Sequence, residues 1–152
     1  MKTTVSIALL LLLLPASPAG AKVGDPVAGF MGGTLIHQLL LTPQGQSALS
    51  GSLAGRTLHR FVSDDRAITV DLVVWNGLIE QQLMYVPMDV RRGFQVNMFL
   101  QDAVGSLVGA QQGMIAYRAA VANRSETYIP FRQYTMRFTP LDANLLRVLV
   151  TQ

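Results

Sequence analysis

The sequence predicts an α+β fold: a mainly antiparallel sheet packed against one long amphipathic helix, with a short N-terminal helix. Three observations predict it. Residues 68–86 form two alternating apolar runs around Asn76-Gly77, the strongest two-residue hairpin signal. A broad stripe of apolar residues at helical spacing follows over residues 96–108, and three strand-like runs occupy residues 114–150.

Composition bounds the rest. The chain has 152 residues, which allows one domain and not two full ones. It has no cysteine, so a disulfide scaffold, a Cys-based zinc site, a thiol nucleophile and a lipidated cysteine are excluded. Only 14% of residues are charged and 50% are hydrophobic, which excludes a charge-rich disordered chain. The net charge is +3, and the arginines are scattered singly except for Arg91-Arg92. Without a basic stripe, no nucleic-acid partner is expected.

Residues 1–21 read as a signal peptide. Met1 and Lys2 give a positive start, residues 5–14 are apolar, and Pro15 and Pro18 break the run before Ala19-Gly20-Ala21, a small-x-small cleavage site. About ten apolar residues are too few to span a bilayer, which needs roughly twenty. Asp71, Glu80, Arg91, Asp102 and Arg118 interrupt every later apolar segment. The expectation is an exported chain, soluble in the periplasm after cleavage and not inserted in the membrane.

Residues 22–33 are glycine-rich and read as a flexible lead-in; Gly29-x-x-Gly32-Gly33 lacks the Lys-Ser/Thr of a phosphate loop. A single α+β domain is expected over residues 34–152, its residues 114–152 rich in strand. Residues 34–41 are apolar, and periodicity leaves strand and helix open. Thr42-Pro43 resembles an N-cap with proline at the first helical position, so a helix is expected over residues 43–54, weakened by Gly45 and Gly51 at about 1 kcal/mol each. Residues 57–62 read as a strand pairing with the hairpin across Ser63-Asp64-Asp65.

The two-residue turn sets Trp75 opposite Leu78, Val74 opposite Ile79, Val70 opposite Leu83 and Ile68 opposite Tyr85. One face is then apolar, while the other carries Trp75, Leu78 and Met84 among polar residues. Asp89 caps a helix over residues 89–112, in which Gly105 and Gly109 would admit a close neighbour. Strands are expected at residues 114–122, 128–138 and 145–150, with Pro130 placing the second late or at an edge. The expected core is Val70, Leu72, Val74, Ile79, Leu83, Phe99, Ala103, Val104 and Leu107.

Little in the chain carries chemistry. His37 and His59 belong to no metal-spaced cluster. His59 with Asp64 or Asp65 would supply a base and its orienter, but no Gly-x-Ser-x-Gly elbow supplies a nucleophile. No catalytic, cofactor-binding or metal-binding residue is assigned, no cofactor is expected, and the chain does not read as an enzyme. Interaction chemistry remains: Trp75, Leu78, Met84, Arg91 and Arg92 are the candidate partner contacts, and strand 145–150 is a candidate pairing edge.

The order of features resembles the periplasmic accessory factor of curli biogenesis, the E component of that amyloid secretion system. The parallel runs through Gly33-Thr34-Leu35-Ile36-His37-Gln38 and Thr42-Pro43-Gln44-Gly45, then Asn76, Ile79, Gln81 and Pro87, and Arg92-Gly93-Phe94 at the helix start. It covers residues 33–112. Two stretches depart from the family, Gln46-Ser47-Ala48-Leu49 and Ser63-Asp64-Asp65-Arg66-Ala67, and the β-rich C-terminal part is an addition. The resemblance implies a non-catalytic adaptor of a secretion or curli-like fibre assembly system. Its partner would be an outer-membrane channel or a fibre subunit, with self-association as an option. The alternative is a small-ligand-binding module with an apolar pocket between helix and sheet.

Overall fold

The computed structural model describes residues 20–152; the leader expected over residues 1–21 lies outside them except for Gly20 and Ala21. The fold is α+β. Seven strands form one antiparallel sheet: β1 (Leu41–Ala48), β2 (Thr57–Ser63), β3 (Thr69–Trp75), β4 (Leu78–Pro87), β5 (Thr127–Phe131), β6 (Tyr134–Pro140) and β7 (Leu145–Thr151). The sheet order is β1-β2-β3-β4-β7-β6-β5. Two meanders are thus joined by a helical crossover, which carries the chain from β4 to the far edge and lets β7 close against β4. The crossover holds α3 (Gly93–Val104) and α4 (Leu107–Asn123), while α1 (Val27–Met31) and α2 (Thr34–Gln38) precede β1.

The helices cover one sheet face. Val96, Phe99, Leu100 and Ala103 of α3 and Ala110, Tyr117 and Ala120 of α4 are buried. Beneath them lie Val70 and Leu72 of β3, Met84 and Val86 of β4, Leu146, Val148 and Val150 of β7, and Met136 and Phe138 of β6. The Tyr117 and Phe138 rings stand 6.4 Å apart, and the Tyr117 hydroxyl donates to the Asp89 carbonyl at 2.7 Å. Burial raises the Tyr117 pKa to about 12, so it remains a donor at neutral pH.

The hairpin turn forms as the sequence predicts, with positive φ at both Asn76 and Gly77. Trp75 pairs with Leu78 and Val74 with Ile79. A β-bulge then moves the register by one, so that Val73 pairs with Gln81 and Val70 with Met84 rather than Leu83. Glu80 is the extra residue, and its carboxylate takes a two-point hydrogen bond from Arg56. The bulge sends Gln82 and Met84 to the helix face, both fully buried, and leaves Leu83 half-buried on the opposite face.

Other expectations are corrected. The lead-in over residues 22–33 is docked rather than flexible: Gly24 N–H donates to Ile79 O at 2.7 Å, Ile79 N–H to Asp25 O at 3.0 Å and Val23 N–H to Ala103 O at 3.0 Å. It occupies the lane beside β4 that β7 does not reach, and Val23 and Phe30 enter the core. The helix expected over residues 43–54 is instead β1 followed by a 3-10 turn, Gly51–Leu53. On an edge strand Pro43 forfeits no ladder bond, and Gly45 sits at a bulge with φ 126°. The short N-terminal helix lies earlier, in α1 and α2.

The long helix is two. Gly105 adopts the left-handed conformation (φ 61°) and ends α3, and the Ser106 side chain accepts from Gly109 N–H at 3.2 Å to start α4. Leu107 is therefore 57% exposed, not core. The strand expected over residues 114–122 belongs to α4, where Ala110, Gly113, Ala116 and Ala120 form the buried small-residue face. Residues 128–138 split into β5 and β6, with Pro130 on the edge strand, and residues 145–150 form interior β7 rather than a free edge.

Gly109 meets an aromatic ring rather than another backbone. A Cβ there would stand 2.6 Å from two Phe131 ring carbons. Gly109→Val is therefore expected to destabilise the fold by about 1–3 kcal/mol, read as a lower denaturation midpoint at unchanged slope.

Candidate functional site

The sequence candidates fall into separate places. Trp75 and Leu78 stand side by side at the tip of the β3–β4 hairpin, 49% and 46% exposed. The turn puts them there: the strands end in register, Trp75 lies one residue past the last β2–β3 pair, and Leu78 is bridged by Pro26 of the lead-in. The Arg56 guanidinium lies 5.4 Å from the Trp75 ring centroid while it holds Glu80. That arrangement fixes a cation over one face of the indole. Trp75, Leu78, Glu80, Gln81 and Thr151 line an open recess of about 410 Å³. Gln152 closes one side, its Nε2 donating to Val23 O at 3.0 Å.

Met84 does not join this surface. The bulge turns it under the helices, fully buried. Arg91 and Arg92 lie beyond the opposite end of β4, roughly 30 Å away along the strand. Arg91 is 88% exposed and pairs with Asp89 at 2.7 Å. That pairing and the Arg91 amide hold the Asp89 carboxyl below its usual range. Arg92 reaches Asp65 at 3.6 Å. Both arginines are engaged in local ion pairs around the entry to α3.

His59 is not brought to Asp64 or Asp65. It sits in mid-strand, opposite Gln46 and Leu72, and its pKa is lowered by burial. Four residues of strand, on the order of 13 Å, separate it from the β2–β3 turn. There Asp65 accepts from Ser63 Oγ at 2.6 Å and Ala67 N–H at 3.0 Å. Those bonds make the Asp64-Asp65 stretch a turn. His37 is exposed on α2. Among the described residues, no three His, Cys, Asp or Glu side chains converge as a metal-binding group, and no helix is long and apolar enough to cross a membrane.

Two features escaped the sequence reading. The first is a fork on the sheet face away from the helices: Arg60 donates from Nε and Nη2 to the Asp71 carboxylate at 2.8 and 2.7 Å. This cover buries Asp71 on the sheet face away from the helices. The second is Asp102, a buried acid on α3. Its spacing three residues after Phe99, at the border of the apolar stripe, was the available signal.

No protein-family model matches the chain, and neither curated proteins nor solved structures show a significant match to it.

Proposed function

We propose that the chain is a non-catalytic accessory protein of the bacterial periplasm that binds a protein partner in a secretion or curli-like fibre assembly system. The observation that carries this reading is the exposed Trp75–Leu78 pair at the hairpin tip. Half of each apolar side chain is in water, an arrangement that association with an apolar partner surface would relieve. The Arg56 cation over the indole and Glu80 beside it supply a polar rim. The resemblance over residues 33–112 supports the choice of system. An outer-membrane channel or a fibre subunit is the partner this reading names. The second reading is a small-ligand module; the recess whose size fits it, about 410 Å³, lies at the hairpin tip against Trp75 rather than between helix and sheet, where the sequence reading places its pocket.

The test uses the purified chain and a curli-type fibre subunit. Sub-stoichiometric chain is expected to lengthen the lag of fibre growth, followed by an amyloid dye. Trp75→Ala with Leu78→Ala is expected to weaken binding at least 30-fold, the size of an interface hot spot. Because both residues are half-exposed, the variant is expected to keep its thermal transition within a few degrees. An unchanged lag with wild-type chain, together with no binding to the cognate channel, would remove the reading.

A further inference from the structure

Asp102 is a buried carboxylate that the proposed contact surface does not use and that, unlike Asp71, no arginine covers. It lies on α3, 8% exposed. The Ala21 backbone amide favours its carboxylate form, yet Oδ2 has no hydrogen-bond partner among the described residues. Gly20 lies against it: a Cβ on Gly20 would stand 2.0 Å from Asp102 Oδ1 and 2.9 Å from Cγ. That contact puts the Gly20 nitrogen within about 4.5 Å of the carboxylate oxygen. The charged groups nearby do not neutralise it. Asp25 repels it, and Lys22 is engaged with Asp25 at 3.3 Å. The recess in front of Asp102 is lined by Thr34, Leu35 and Gln38 of α2 and by Gln101, all uncharged; Arg132 lines the recess on the other side of Gly20. Among the described residues, no cation faces this buried carboxylate, and a backbone nitrogen lies beside it.

The same contacts bear on where the leader ends. A cut after Ala21 would remove a buried methyl group and the carbonyl that accepts from Gln82 Nε2. It would leave the Gln82 amide and Asp102 unpaired inside the core. Ser17-Pro18-Ala19 offers small residues at the first and third positions before an earlier cut. Resting on the reading of residues 1–21 as a leader, we propose that the Ala19–Gly20 bond is the processing site and that the α-ammonium released on Gly20 binds the Asp102 carboxylate. An endopeptidase of the leader-removing class adds water across the bond. Hydroxyl goes to the Ala19 carbonyl carbon as the C–N bond breaks, and the Gly20 nitrogen gains a proton to become an amine, protonated again at neutral pH. Processing thereby supplies the missing cation and fastens the lead-in to α3.

The full chain, expressed in a Gram-negative host and recovered from the periplasm, is expected to show the intact mass of Gly20–Gln152. Its α-amine, titrated by NMR, is expected to be raised by a unit or more above the usual value of about 7.7–8.0, returning there in Asp102→Asn. The Asn variant of the processed chain is expected to melt about 5–10 °C lower. Recovery of the uncut chain would overturn both the export reading and this inference. A start at Lys22 would leave export standing and overturn the inference alone. A Gly20 start with an unshifted α-amine would overturn the pairing. The titration of the wild-type chain decides this even where the variant fails to fold.

Discussion

Val104→Asp is expected to abolish the cooperative thermal transition. Val104 is 3% exposed and is the last residue of α3, its Cγ2 3.0 Å from where a Gly109 side chain would begin. A carboxylate there is desolvated without a partner, at an effective cost of several kcal/mol. It also sits at the helix C-terminus, where the free carbonyls carry partial negative charge and repel an anion. Total stability of a domain this size is about 5–15 kcal/mol, so one such site removes most of it. Val104→Ala keeps the site apolar and is expected to lose only about 2 kcal/mol. Leu107→Asp supplies the contrast. In one unbroken helix, positions 104 and 107 would share a face and both substitutions would be severe. With the chain broken at Gly105-Ser106, Leu107 is exposed and its substitution is expected to stay within about 0.5 kcal/mol. Circular-dichroism melts of the three variants check this. A cooperative melt for Val104→Asp, or a collapse for Leu107→Asp, would refute the placement of the break.

That break illustrates what was legible in the chain and what was not. Gly105-Ser106 is a helix stop followed by an N-cap, and both signals are local. They were outweighed by the apolar stripe that continues through Leu107 and Val108, because hydrophobicity reports burial and not where a backbone turns. The α+β class, the hairpin and its turn were readable because Asn76-Gly77 acts locally and strongly. The bulge at Glu80 was not readable, since it depends on Arg56, a residue far away in sequence, holding the extra side chain. One inserted residue was enough to move Met84 from the contact surface into the core and to leave Trp75 and Leu78 as a pair. The docking of residues 22–33 was hidden for a different reason. Most of its bonds are backbone bonds, to Gly77, Ile79 and Ala103, which no side-chain pattern encodes. The edge position of β1 was masked in the same way, because Thr42-Pro43 has the composition of a helix start and only the β2 partner makes it a strand.

The stability of the chain with Gly20 still amide-linked to residue 19 is expected to fall as pH rises from about 4 to 7. Burial and the neighbouring Asp25 push the Asp102 pKa up to about 7 from its ordinary 3.8, against the pull of the Ala21 amide. Below about pH 4 the carboxyl is protonated in both states and costs nothing. Between pH 4 and 7 the unfolded chain releases the proton while the fold retains it, so stability drops by up to about 1.4 kcal/mol per pH unit. Above about pH 7 both states are ionised, and the loss levels off at about 4 kcal/mol. Asp65 and Asp89, whose pKa values are depressed, act in the opposite direction: their stabilisation is present above the ordinary carboxylate range and is lost as pH falls below it. They are the same in Asp102→Asn, so the difference in unfolding free energy between wild type and variant isolates Asp102. For the amide-linked chain that difference is expected to shift by about 4 kcal/mol against wild type between pH 4 and 8, read from urea denaturation. In the chain that begins at Gly20, the ammonium favours the carboxylate and the sign inverts. Asp102 is then held ionised, its pKa falls below the usual range, and wild type gains on the variant as pH rises through 4. A difference that is flat with pH in both chains would show that water, not Gly20 or burial, sets the charge on Asp102.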